Sequence, residues 1–458
     1  MLERERTIAP QDYSRWLVPP AALAVHVSIG QAYSLSVFNL PLSKALDVPL
    51  TATIWMFNIA FFFLGLSAAL FGTWVERVGP RKTMFVAALC FAGGFVVSAI
   101  AVKLRVLLLL YAGYGVLGGI GLGLGYISPV STLIKWFPDR PGMATGLAIM
   151  GFGGGAMVGS PLAVTLMDAI GLAPTFLAMG AIYFALMSFG AVTVRLPPVE
   201  TAQASSGEGM TANEAIRTRD FWLVWGVLFT NVTAGIGILG QASPMIQEMF
   251  AKTPQAAAGF VGLLSLFNLA GRFGWSSLSD RLGRKRTYVV YLGLGMALYA
   301  LVPSTRRLDA AWLFVAFTCV ILSMYGGGFA TVPAYLRDLF GTKQVGAIHG
   351  RLLTAWSTAA LVGPTLVTYT REYQIAHGVA KADAYSTTMY FLVVLLAIGF
   401  ICNYFVSSIA RTSKAARAAA IGTASPPMLP LVGYWVVVAV PLGWGVTQVA
   451  MKSIALFR

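Results

Sequence analysis

Gly72-Thr73-Trp74-Val75-Glu76-Arg77-Val78-Gly79-Pro80-Arg81-Lys82 and, about 204 residues later, Ser279-Asp280-Arg281-Leu282-Gly283-Arg284-Lys285 are two versions of one loop. Each follows a long apolar stretch, and each presents an acid, an arginine, a spacer, a glycine and a basic pair. Phe137, Gly146 and Pro161 correspond to Phe340, Gly350 and Pro364 at nearly the same offset, and Gly30-Gln31 to Gly240-Gln241 at a slightly larger one. A repeat of this length divides the chain into two parallel halves.

The material between the loops sets the class. Of the 458 residues 57% are hydrophobic and only 11% charged, with a mean hydropathy of +0.75. Such a chain is an all-α, multi-pass membrane protein. Apolar spans are expected at 16–40, 53–75, 83–102, 106–134, 143–167 and 172–194, then at 221–247, 256–279, 287–304, 310–336, 352–370 and 386–410, with a thirteenth at 431–451. The domains follow: a six-helix half at 1–195, a cytoplasmic linker at 196–220, a second half at 221–410, a linker at 411–430 and an extra C-terminal helix at 431–458. The Pro-, Ser- and Gly-rich composition of 196–209 marks the first linker. Thr211 and Glu214 then form a capping-box pattern opening a short helix.

The net charge of +15 is distributed as a membrane protein distributes it. With the N-terminus inside, 21 of the 32 Lys and Arg fall on the cytoplasmic side, the asymmetry of the positive-inside rule. The expected partners are therefore lipid and a small solute, with no nucleic acid. The location expected is a cell membrane, a bacterial inner membrane, and the chain is expected to work as a monomer. The N-terminus lacks a signal-peptide pattern, so the first span is expected to be retained. Cys90, Cys319 and Cys402 lie in apolar spans without metal-ligand spacing. Neither a cofactor nor a metal is expected. The glycine runs at 119–125, 151–155 and 326–328 lack the strand-to-helix context of a nucleotide loop; they let helices approach. No nucleophile elbow or phosphate loop is present, so an enzyme is not expected.

One charge sits inside the apolar spans. Arg272 lies eight residues before Asp280, about 12 Å along a helix at ~1.5 Å per residue and thus near the middle of a ~30 Å core. A cation there costs on the order of 2.5 to 3.5 kcal/mol on insertion scales, so it must face the protein interior or a watery cavity. A guanidinium fork matches a carboxylate through two parallel hydrogen bonds.

Twelve spans in two halves with the doubled loop resemble the major facilitator superfamily over roughly residues 16–410. Within it, Lys135-Trp136-Phe137-Pro138-Asp139-Arg140-Pro141-Gly142-Met143-Ala144-Thr145-Gly146, Gly271-Arg272 and Leu353-Thr354-Ala355-Trp356 resemble the oxalate/formate antiporter family. The tail Pro441-Leu442-Gly443-Trp444-Gly445-Val446 is similar to the small single-span component of some members. The resemblance implies a small carboxylate bound between the halves by an arginine in span eight and a lysine in span eleven, inside an aromatic cage. Arg272 matches the arginine, but Trp356 stands in the lysine's place. Tyr33, Tyr126 and Tyr325 match aromatic members of the cage. Phe152 and Phe329 stand where a tyrosine is expected, and Gln31 offers an amide nearby. Proton-coupled monocarboxylate carriers, more distant in resemblance, keep an aspartate where this chain has Asn268. No Asp or Glu occupies a span, leaving His26 as the other titratable group.

The expected function is secondary transport of small carboxylates such as formate, pyruvate or lactate, by exchange or facilitated diffusion. Proton-linked monocarboxylate symport and oxalate/formate exchange are the alternatives, and a non-transporting sensor on the same scaffold is a further one. Glu76, Arg77 and Arg81, with Asp280, Arg281 and Arg284, are expected to form gating latches.

Overall fold

The computed structural model describes residues 3–48, 50–198, 209–407 and 428–453. Residues 199–208 of the first expected linker and 411–427 of the second lie outside the described residues. Among the described residues ten helices are long and apolar enough to cross a membrane, and a bent pair makes an eleventh. Pro254–Leu282 and Thr354–Ala376 are also long enough to cross. These two carry Arg272 and Trp356, both fully buried.

The first span departs from its expected form. Val18–Gly30 gives way to a tight turn at Gln31–Ser34, and Ser36–Leu46 continues at an angle of 56°. The second to sixth spans are Leu50–Val78, Pro80–Leu104, Leu107–Trp136, Pro141–Ile170 and Leu172–Thr193. Within the fourth, Tyr111–Gly118 winds as a π-helix. Thr211 and Glu214 close the expected capping box on Ala212–Ala215, and the Thr211 N–H holds the exposed Glu214 carboxyl below its usual range. Arg219–Phe250, Pro254–Leu282, Arg284–Arg307 and Ala311–Phe340 are spans seven to ten. The eleventh opens with Val345–Leu352 and runs on through Thr354–Ala376; the twelfth is Ser386–Phe405.

Packing repeats between the halves. Span one lies on five and six as seven lies on eleven and twelve; two lies on four as eight lies on ten; three lies on six as nine lies on twelve. The seam repeats too, because span five crosses eight and span eleven crosses two. Gly146 and Gly350 occupy these two crossings, against the Arg272 carbonyl and the Ala68 backbone. Backbone turns keep the repeat where sequence has lost it. Asp47 and Ala251, and Arg105 and Asp309, share left-handed conformations at matching positions, although neither pair keeps its residue type. Gly79 (φ 83°) and Gly283 (φ 88°) are the matching turns of the doubled loop, a conformation in which a β-carbon is strained.

The thirteenth helix, Met428–Ser453, breaks the symmetry. It packs on spans one, five and eight, with Val438 and Leu442 against Leu23, Ala24 and Val27. Val432, Val436, Val440 and Trp444 form an exposed stripe one helical turn apart, suited to lipid.

Candidate functional site

Arg272 is fully buried where span eight crosses span five. Its Nε donates to Asn268 Oδ1 at 3.0 Å, one turn earlier on the same helix, and Nη1 reaches the Ile149 carbonyl at 3.4 Å. Asn268 thus orients the fork. Nη2 is buried without a hydrogen-bond partner. The guanidinium carbon lies 5.5 Å from the Phe152 ring and 5.3 Å from Phe329. Cation–π contacts of this kind contribute roughly 0.5 to 2 kcal/mol and leave the outer edge of the fork free.

Phe152 and Phe329 also flank Trp356, at 5.4 and 4.4 Å between ring centroids. Tyr126 packs on Trp356 at 5.4 Å and on Phe152 at 5.6 Å. All four rings are fully buried. The step of the doubled loop pairs Phe152 with Trp356 and, within one residue, Tyr126 with Phe329. The box is therefore built from two copies of one arrangement. The same step pairs Arg272 with Ala68, so the charge belongs to one half alone.

Tyr33 and Tyr325 close the box on the side away from the doubled loops, their hydroxyls 3.2 Å apart across the seam. Tyr33 packs on Phe152 at 4.9 Å and on Phe61 at 5.6 Å. The Tyr126 hydroxyl and Trp356 Nε1 are buried without hydrogen-bond partners, as is Arg272 Nη2. Leaving a buried polar group unpaired costs about 1 to 3 kcal/mol, so three such groups around one box point to a polar guest. Of the expected site residues, only Gln31 is engaged elsewhere. Its Oε1 accepts from Tyr114 at 2.6 Å within the first half. His349 was missed by sequence reasoning because it precedes the expected eleventh span; it is buried beside Tyr126, ring centroids 5.8 Å apart. Among the described residues no cluster of three His, Cys, Asp or Glu is placed to hold a metal.

The doubled loops meet the opposite half in matching ways. Asp280 accepts from the Gly142 and Met143 N–H groups, both at 2.9 Å, at the start of span five. Glu76 accepts from the Gly346 N–H at 3.2 Å, at the start of span eleven. Each acid caps a helix N-terminus across the seam, where free N–H groups and the helix dipole favour negative charge. Glu76 is held by Lys135 at 2.6 Å and Ser131 at 2.8 Å. Arg284 ties Asp280 at 2.5 Å and Asp338 at 3.2 Å. Arg81 instead donates to the Val192 and Val194 carbonyls, and Lys285 to those of Tyr404 and Val406. These two basic residues fasten the last span of each half to its own loop. Arg77 and Arg281 are exposed.

Residues 21–364 match the Major Facilitator Superfamily. The chain is 29% identical to the oxalate:formate antiporter of Oxalobacter formigenes, over 76% of this chain and 83% of the relative. It is 28% identical to the uncharacterized MFS-type transporter YhjX of Escherichia coli strain K12, over 75% and 85%. Apicoplast pyruvate carrier 1 of Toxoplasma gondii is 23% identical over 81% and 77%. Among solved structures, a bacterial homologue of the iron transporter ferroportin in an outward-facing state superposes with a TM-score of 0.66 at 13% identity, over 86% of this chain and 99% of that one. The transporter FucP in its outward conformation gives 0.61 at 15%, over 86% and 100%. These likenesses agree with the repeated packing of the halves and with the doubled loop, and the chain belongs to the Major Facilitator Superfamily, resembling its oxalate/formate antiporters.

Proposed function

We propose that this protein carries small monocarboxylates across a bacterial inner membrane by alternating access, exchanging one acid for another. The partnerless edge of Arg272, enclosed by four aromatic rings at the seam, carries the proposal. One carboxylate oxygen is received by Nη2, and the Tyr126 hydroxyl and Trp356 Nε1 supply the remaining donors. One arginine balances one negative charge. The ring walls exclude water and favour small flat acids. Homology to an oxalate:formate antiporter and a pyruvate carrier supports a carboxylate cargo.

Basic residues concentrate at the doubled-loop end, which supports placing it in the cytoplasm. Glu76 and Asp280 then hold the inner gate shut, while Tyr33 and Tyr325 close the outer one. An empty site leaves the Arg272 charge uncompensated in a low-dielectric box, and reorientation is slow until an acid neutralises it. Every group in this scheme comes from one chain, which supports a monomer as the working unit. Reconstitution tests it: uptake of formate, lactate and pyruvate is expected to be at least tenfold faster into vesicles preloaded with carboxylate. Equal rates into empty vesicles would rule out exchange.

A further inference from the structure

Beside the box, Tyr126 lies between two buried histidines. The His26 ring, on span one, is 5.3 Å from it at an edge-on angle, and the His349 ring, on the helix opening span eleven, is 5.8 Å away. One histidine belongs to each half, so the group spans the seam as the carboxylate box does. His26 Nδ1 lies 3.1 Å from the Ala22 carbonyl, which assigns the ring hydrogen to Nδ1 and leaves a lone pair on Nε2. That Nε2, both nitrogens of His349 and the Tyr126 hydroxyl are all buried without hydrogen-bond partners. A neutral imidazole always keeps one nitrogen that can accept a proton.

The charged surroundings are few. Span five presents the Gly151 backbone to His26, and Tyr183 of span six lies farther along, level with Gln31 and Gly159. Tyr434 of the thirteenth helix packs on Phe189. Near His349, Glu76 of span two is engaged by Lys135, Ser131 and the Gly346 N–H. Arg337 and Asp338 of span ten are bound to the Pro138 carbonyl and Arg284. Arg351 is bound to Asn213, and Glu214 closes its own cap. On the pocket side stands Arg272, whose positive charge faces the Tyr126 and Tyr33 hydroxyls and also acts on His26. A recess lined by Glu76, Ser128, Ser131 and Lys135 opens at the doubled-loop end. It reaches Ser131, which abuts Gly346, one helical turn before His349.

We propose that His26, Tyr126 and His349 form a proton-binding site shared by the two halves and electrically linked to the acid held at Arg272. This rests on the carboxylate site proposed above. A proton from water in the recess adds to an imidazole lone pair, no bond to the cargo forms or breaks, and the proton leaves with the cargo. An empty site opposes protonation, because Arg272 is already positive. A monocarboxylate cancels that opposition, and a dicarboxylate reverses it. Two unit charges ~10 Å apart at an effective dielectric near 20 shift an equilibrium by about tenfold. Linkage is reciprocal, so acidification strengthens dicarboxylate binding more than monocarboxylate binding. The histidines thus supply, on protonation, the second positive charge absent at Trp356.

The test uses the full chain in liposomes, comparing oxalate with formate uptake at pH 8 and pH 6, a range in which both acids remain ionised. The expected result is an oxalate-to-formate ratio that rises about tenfold on acidification. In the His26→Gln/His349→Gln double variant the ratio is expected to stay flat, with formate uptake at pH 8 within twofold of the original. An internal pH dye is expected to record proton entry with oxalate, and none in the double variant. An unchanged pH response in the double variant, or oxalate uptake without proton entry in the unmodified protein, overturns the proposal. If the double variant fails to insert, His349→Gln alone carries the same two outcomes. Arg272→Gln separates the two ideas. Loss of uptake there combined with an unchanged pH response in the histidine variants removes the proton site and keeps the carboxylate site. Retained uptake removes the carboxylate site.

Discussion

The doubled loops and the aromatic box are both built by the internal repeat, yet they use it differently. At the loops the two halves perform the same act: Glu76 and Asp280 each cap a helix of the opposite half. In the box the paired aromatics also match, but Arg272 faces Ala68 in the repeat and has no twin. Gating needs both halves to release together, so symmetry serves it. Binding an acid needs charge on one side only, because a second fixed cation in the same dry box would be left uncompensated by a monocarboxylate. In the proposed function, cargo binding therefore lies where the repeat is broken and gating where it is kept.

The largest effect is expected at the broken position. Arg272→Lys keeps a charge but loses the planar fork and its bond to Asn268, and should reduce carboxylate uptake in proteoliposomes about a hundredfold. Uptake of every acid at the original rate would remove Arg272 from the site. The matched position gives the next test. Asp280→Asn and Glu76→Gln each weaken charge-assisted hydrogen bonds worth roughly 1.5 to 3 kcal/mol. Each should shift the gate equilibrium at least tenfold, read as faster labelling of a cysteine introduced at the loop end. If one variant is silent while the other opens the gate, the two latches are not equivalent.

Trp356→Lys asks whether the box can be made charge-symmetric. It should move preference from formate towards oxalate about tenfold in competition uptake, and an unchanged ratio would separate Trp356 from cargo selection. Tyr33→Phe is expected to have the smallest effect. It removes one neutral hydrogen bond to Tyr325, about 0.5 to 1.5 kcal/mol, and should open the far side several-fold in labelling from that side while leaving the cytoplasmic side unchanged.

Much of this was legible before the fold was known. Arg272 announced itself because an unpaired charge in an apolar helix is expensive enough to require a reason. The loops were legible because Gly79 and Gly283 recur with their acids in place. Gln31 was expected to offer an amide near the box, and its Oε1 accepts instead from Tyr114 within the first half. His349 was missed because it lies in a short polar stretch, and only the folding of Val345–Leu352 into the seam buries it. The matched turns at Asp47 and Ala251, and at Arg105 and Asp309, leave no trace in residue type. A helix end can adopt a left-handed turn with several residue types when the packing on either side demands it.

The sequence by itself determined the helices, their pairing into two halves and the presence of one cation within the apolar spans, since apolarity, length and repeat act locally along the chain. Only the tertiary structure decided which edge of that cation stays free, which aromatic rings enclose it, and that a histidine from each half meets at Tyr126. Those facts depend on how helices cross at the seam, and a shift of one helical turn there would exchange every partner without altering a residue.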